Sequence, residues 1–158
     1  MATDQNQYLG NPNLKKANVP VEFTKEQIEE YQKCMEDPVY FIQEYMKIVS
    51  LDEGLVPFKM YDFQQNMVQT FHDNRFTICK LPRQSGKSTT IIAYLLHYVL
   101  FNQNVNVAIL ANKSSTARDI LGRLQLGYEN LPKWLQQGVI SWNKGSLDLE
   151  NGSSILAA

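Results

Sequence analysis

Between an apolar stretch ending at Leu81 and another beginning at Ser88 lie Pro82-Arg83-Gln84-Ser85-Gly86-Lys87-Ser88-Thr89. Two cationic side chains, three small hydroxyls and one glycine in eight residues are the ingredients of a phosphate seat. A helix start presents unpaired N–H groups and positive dipole, so a loop curled ahead of it can wrap phosphate oxygens. In that reading Gly86 permits close backbone approach, Lys87 reaches the β and γ phosphates, and the Ser88 hydroxyl coordinates magnesium. The cofactor so implied is ATP with magnesium.

The usual phosphate-loop pattern places a glycine five residues before Gly86, where this chain has Leu81. Gly-Lys-Ser/Thr alone arises by chance in on the order of one chain in ten of this length, so context decides. The apolar run Phe76 to Leu81, bounded by Pro82, fits a buried strand. Ser88 to Phe101 is apolar around most of its circumference and reads as a buried helix, and Val105 to Ala111 as a second buried strand. Strand, helix and strand in that order predict a βαβ unit with the motif at its first junction. Pro82 fixes its own φ and pushes Leu81 toward extended geometry, ending the strand where the loop begins. Arg83 is placed to stabilise charge on a γ-phosphate, with packing or a salt bridge as the alternative. Upstream, Lys59, Tyr61 and Gln64 lie in Phe58-Lys59-Met60-Tyr61-Asp62-Phe63-Gln64, a segment offering an amide for an adenine edge and aromatics to flank the ring.

Other elements must position this loop. Residues 1–23 are a polar arm with Gly10, Pro12 and Pro20 and no periodicity. Thr24 and Gln27 form a capping-box pattern for a helix to about Glu36, and Asp37-Pro38 starts another that periodicity extends to about Val49. Tyr61 to His72 predicts a further helix with Phe63, Met67 and Phe71 as its core stripe. Ser114 or Ser115 caps a helix to about Tyr128, and Pro132 to Gln137 makes a short one. Strands at Val139 to Trp142, Ser146 to Glu150 and Ser153 to Ala157 follow, with turns at Asn143-Lys144-Gly145 and Asn151-Gly152. The pair Asp52-Glu53, after the aliphatic Ile48-Val49, imitates a metal-holding acidic pair. It precedes the loop and continues a helical pattern, whereas such carboxylates should end a strand beside the loop strand, so it is set aside.

Composition bounds the rest. The 158 residues are 44% hydrophobic and 20% charged, which suits one soluble globular unit. The net charge of −1 conceals regional charges of −5 over residues 1–72, +6 over 73–145 and −2 over 146–158, so the loop sits in the basic part, where phosphate is favoured. No run of about eighteen apolar residues exists to span a membrane, and the polar start lacks a secretory signal, making the cytosol the default. Cys34, Cys79, His72 and His97 show no metal spacing and read as structural.

With these residues in hand, the chain resembles the N-terminal part of the large terminase subunit of tailed bacteriophages, the ATPase of the DNA-packaging motor, and most closely the T-even type. The resemblance spans nearly the whole chain. It rests on Leu51-Asp52-Glu53-Gly54-Leu55-Val56-Pro57-Phe58, Tyr61-Asp62-Phe63-Gln64, Arg83-Gln84-Ser85-Gly86-Lys87-Ser88, Ala108-Ile109-Leu110-Ala111-Asn112-Lys113, Trp142-Asn143-Lys144-Gly145-Ser146 and Asn151-Gly152-Ser153-Ser154. That family's phosphate loop also lacks the leading glycine. The resemblance implies Gln64 at the adenine, Lys87 and Ser88 at phosphates and magnesium, and Arg83 near the γ-phosphate. Pro82 stands where the family often has Ser, and Lys59 where a Gln assists adenine recognition.

The implied fold is α/β: a P-loop NTPase core with an incomplete parallel sheet, flanking helices and a C-terminal β-hairpin, preceded by N-terminal helices. Residues 24–60 form a helical lead-in and 61–158 a truncated nucleotide-binding core. The implied activity is ATP-driven translocation of double-stranded DNA into a procapsid. The implied partners are DNA, the portal protein and the small terminase subunit, in an oligomeric ring in the host cytoplasm, transiently at the procapsid portal vertex. The family's acidic pair and nuclease domain are not among these residues, so the expectation for this fragment alone is inactivity. Two other readings stand beside it: a non-catalytic piece whose acidic N-terminal helices dock a partner, or another P-loop DNA motor such as a helicase.

Overall fold

A computed structural model describes residues 5–158. It is an α/β arrangement of five α-helices and three small sheets. The chain begins with a hairpin of β1 (Gln7–Tyr8) and β2 (Asn11–Lys15). The expectation of an aperiodic arm is corrected here, residues 1–4 lying outside the described residues. Leu14 is buried in the common core, and Lys16 bridges in parallel to Val139. Two side chains from the far end of the chain hold the hairpin. Gln136 accepts from the Lys15 N–H at 3.1 Å and donates to the Asn13 carbonyl at 3.0 Å. Glu150 accepts from the N–H groups of Asn18 and Gly138, each at 2.8 Å, and from the Lys15 amine at 3.3 Å. Contacts more than a hundred residues apart leave no periodic signal in the segment itself.

Helix α1 (Lys25–Glu36) starts at the predicted capping box, with Thr24 Oγ1 accepting from the Gln27 N–H and Gln27 Oε1 accepting from the Thr24 N–H. Helix α2 (Pro38–Tyr45) starts as predicted too, Asp37 accepting from the Tyr40 N–H at 3.0 Å. It ends four residues earlier than periodicity suggests. Lys47–Ser50 form β3, paired antiparallel with β4 (Gly54–Pro57). The β-branched pair Ile48-Val49 suits a strand, and Gly54, at φ 74°, supplies the left-handed residue that closes the hairpin. Asp52 and Glu53 sit exposed in its turn.

In α3 (Asp62–Asp73) the buried residues are Gln64, Met67 and Val68, while Phe63 is 41% exposed. The stripe is thus rotated by one residue from the expected one, and a glutamine takes an inward position. Helix α4 (Lys87–Phe101) buries Ile92, Ala93, Leu96, Val99 and Leu100 and packs against α2, α3 and α5. Each buried isoleucine, leucine or valine among them contributes roughly 1.5–3 kcal/mol by leaving water. Strand β5 (Asn106–Ile109) precedes α5 (Ser114–Glu129), whose N-cap is Lys113 without a side-chain bond; neither serine caps it. After a 3₁₀ turn at Lys133–Leu135 come β6 (Val139–Trp142), β7 (Ser146–Leu149) and β8 (Ser154–Ala157).

The C-terminal strands form the expected antiparallel hairpin, extended into a sheet of order β5-β8-β7-β6 in which only β5 and β8 run parallel. The sheet is therefore mixed. The strand expected at Phe76 to Leu81 does not form: these residues carry no strand pairing, and Phe76 and Ile78 are 84% and 97% exposed. The βαβ unit predicted around α4 is consequently absent; β5 finds its parallel neighbour in β8. An apolar, extended run becomes a strand only when a neighbouring strand meets its N–H and C=O groups, and no described strand pairs with this one. No helix among the described residues is long and apolar enough to cross a membrane.

Candidate phosphate-binding site

The segment Leu81 to Gly86 folds into a tight turn just ahead of α4. Gln84 and Gly86 have φ of 58° and 73°, both left-handed. Glycine accepts that geometry freely, whereas Gln84 bears strain of order 1–3 kcal/mol that the surrounding turn must hold. Ser85 Oγ donates to the Pro82 carbonyl at 3.0 Å, closing the turn across three residues. The Lys87 amine folds back to donate to the Pro82 carbonyl at 3.3 Å and the Leu81 carbonyl at 3.5 Å. Thr90 Oγ1 donates to the Gly86 carbonyl at 2.9 Å. No side chain caps the start of α4. Its first N–H groups therefore stay open to water or to an anion, with the helix dipole favouring negative charge.

Beside the turn lies a cleft of about 570 Å³, whose walls include Ile48, Phe58, Phe63 and Leu81. Of the residues the sequence singled out, Lys59, Tyr61, Gln64, Pro82, Gln84, Ser85, Gly86 and Thr89 line it. The size suits a drug-sized or nucleotide-sized ligand. The Tyr61 and Phe63 rings lie nearly parallel, 10° apart with centroids 6.0 Å apart, and both are exposed. Arg83, Lys87 and Ser88 are not among these walls: Lys87 lies against the loop carbonyls, and Arg83 and Ser88 face solvent. Arg83 makes no ion pair with a described residue, so the salt-bridge alternative is not realised; the Lys15 and Glu150 pair lies in the N-terminal hairpin's anchor.

Gln64 is 3% exposed, and its amide is engaged at both ends. Oε1 accepts from the Tyr61 N–H at 2.9 Å, and Nε2 donates to the Ser85 carbonyl at 3.3 Å. Sequence reasoning missed this link. The spacing of Tyr61 and Gln64 matches the half of a capping box in which the third residue reaches back, but tyrosine is no capping residue and the pattern did not stand out. Ile48 was missed because its segment read as helix.

The molecule is thus an α/β protein that sets a basic, hydroxyl-rich turn at an uncapped helix start beside an aromatic cleft. Residues 78–158 match the family model for Terminase large subunit, T4likevirus-type, N-terminal. The chain belongs to this family, the terminases of bacteriophage DNA packaging, whose partners include DNA. The match covers the turn, α4 and the whole C-terminal sheet, while Lys59, Tyr61 and Gln64 precede it.

Proposed function

We propose that the turn from Leu81 to Thr89 is the triphosphate seat of a P-loop ATPase that powers movement of double-stranded DNA into a procapsid, working with portal and small-subunit partners as part of a ring. In this reading residues 61–158 carry the nucleotide-binding core, with 24–60 bracing it through α2 and the β3–β4 hairpin. One observation carries the proposal: the Lys87 amine is gathered onto the carbonyls of a turn whose left-handed residues precede an open helix start. An ammonium held by neutral carbonyls at about 3.3–3.5 Å is weakly satisfied. A phosphate oxygen carries the opposite charge and offers it a shorter, stronger bond than a neutral carbonyl does.

The division of labour follows from placement. The N–H groups of the first turn of α4 orient the phosphates, and Lys87 offsets their charge. Arg83, which makes no ion pair with a described residue, is available to the γ-phosphate as charge develops there. The exposed Ser88 hydroxyl, second in α4, is the group available to magnesium, which when bound would neutralise charge between the β and γ oxygens. The ring faces of Tyr61 and Phe63 flank the base.

Replacing the amine tests the seat. Lys87→Ala should abolish binding of a fluorescent ATP analogue while the melting temperature stays within a few degrees of wild type. Unchanged affinity in that titration would defeat the assignment.

A further inference from the structure

Strand β3 pairs only with β4, so one of its edges is free, and no backbone hydrogen bond reaches Lys47–Ser50 from another described segment. In an antiparallel pair every second residue turns its N–H and C=O away from the partner strand, which makes the free edge a template for a further strand. Two strands alone are marginally stable in water, and a third strengthens them. Beside the hairpin lies a cleft of about 330 Å³. Met46, Lys47, Ile48 and Val49 all line it, and none of Gly54–Pro57 does. Successive side chains of a strand point to opposite faces. A cleft touched by consecutive residues therefore runs along the strand's edge, on the side away from β4. Its floor is apolar, with Met46 and Ile92 each 3% exposed and Leu126 half-buried. Its cations are Lys47 and Arg123, both exposed and neither in an ion pair with a described residue.

We propose that this cleft is a docking site for an extended segment of a partner protein, in which carboxylates alternate with aliphatic residues, added as a third strand to the free edge of β3. Main-chain bonds to β3 hold such a segment, and its side chains select it. One face of the added strand sets aliphatic groups on Met46, Ile92 and Leu126. The acidic side chains meet Lys47 and Arg123. Nucleic acid fits this surface less well: the floor is apolar, and the carbonyls along a strand edge repel phosphate. Ile48 and Thr89 also wall the cleft beside the phosphate turn, so a docked strand touches two side chains of that site. The docking itself does not depend on the nucleotide reading.

The probe is a fluorescein-labelled octapeptide of four Val-Asp repeats, titrated with the full chain and followed by fluorescence anisotropy. Wild type should bind it with a Kd of about 10–100 µM, the range of a small, transient interface. A Val-Lys octapeptide should bind at least about tenfold more weakly. Placing proline at the two central valines removes N–H donors and should abolish binding. The double variant Lys47→Glu, Arg123→Glu should reverse the preference and take the Val-Lys peptide over the Val-Asp one, a gain that misfolding cannot produce. Should that variant fail to fold, Arg123→Ala should weaken the acidic peptide severalfold and leave the basic one unchanged. No binding of the Val-Asp peptide up to about 1 mM would overturn the proposal. So would equal affinity for the acidic and basic peptides, or for the proline-bearing one. A thymidine octanucleotide that binds more tightly than the acidic peptide, and is lost in the same variant, would assign the two cations to nucleic acid instead.

Discussion

Residues 76–81 and 154–157 are both short, largely apolar runs, and they meet opposite fates. Strand β8 is hydrogen-bonded on both sides, parallel to β5 and antiparallel to β7, and its Ile155 is 1% exposed. The run at 76–81 has no ladder and its Thr77 hydroxyl no hydrogen-bond partner among the described residues, and its Ile78 is 97% exposed. Yet 76–81 leads directly into the turn ahead of α4, while β8 lies inside the far sheet. The site therefore hangs from a firmly packed helix, α4, on one side and from an unpaired segment on the other. Rigidity at the turn must come from α4 and from the Gln64 bond to the Ser85 carbonyl rather than from a strand beneath it.

Hydrogen exchange should make this contrast largest. Amides in the interior strands β7 and β8 open only with much of the sheet, so Leu147 and Ile155 should be protected by a factor of at least about a thousand over Ile78 and Lys80. Equal protection in the two regions would show that 76–81 finds a pairing partner in solution, and the comparison would collapse.

A second contrast runs along α4 itself. Its first turn is open, whereas its third holds His97 among Phe41, Tyr94 and Phe101, with Nε2 bonded to the Cys34 carbonyl at 2.9 Å and Nδ1 without a partner among the described residues. Burial pushes the imidazole down to about 4, the Cys34 carbonyl only partly opposing it. The folded pKa lies below the unfolded value near 6.5, so the unfolded chain takes the proton first. The neutral imidazole's contribution is thus complete above about pH 6.5 and is lost as pH falls toward 4, amounting to roughly 3 kcal/mol. Urea midpoints should decline over that interval. A His97→Gln variant that folds should show a flat profile between pH 5 and 6.5. The loss should appear in the packed half without altering Lys87, and a decline that persists unchanged in the variant would place its origin elsewhere.

How much of this was legible depends on where each signal lives. Local signals held: the capping box at Thr24 and Gln27, the Asp37-Pro38 helix start, the extent of α4 and the C-terminal hairpin turns are all written within a few residues of where they act. The turn ahead of α4 falls where residue type and spacing put a break between two apolar runs. Distant partnership is what the sequence concealed. Apolarity marks 76–81 as compatible with a strand but cannot supply its neighbour. The polar 7–15 hairpin shows no pattern because Gln136, Val139 and Glu150 provide what holds it. Gln64 was singled out as an amide for an adenine edge, and its bond to the Ser85 carbonyl, twenty-one residues ahead, left no local mark.

The smallest expected effect tests how that polar hairpin is held. Burial raises the Glu150 carboxyl's pKa, but the N–H groups of Gly138 and Asn18, aided by Lys15, outweigh it and leave the group below the usual carboxylate range. Its stabilising contribution is present above the unfolded value near 4.5 and fades as pH drops through the lower folded one. Glu150→Gln keeps the shape but has one oxygen for two N–H donors that now occupy two oxygens, so one of those donors faces an amide NH₂. The cost should be about 1–2 kcal/mol in urea unfolding, and the variant's stability should lose the part of its acid dependence below pH 4.5 that the carboxylate supplied. Exchange should quicken at Asn18 and in the hairpin while Leu147 and Ile155 keep their protection relative to global unfolding. If the whole sheet loosens instead, Glu150 is a keystone of the packed half rather than a clasp on its edge, and the N-terminal hairpin belongs to the same cooperative unit as β6 to β8.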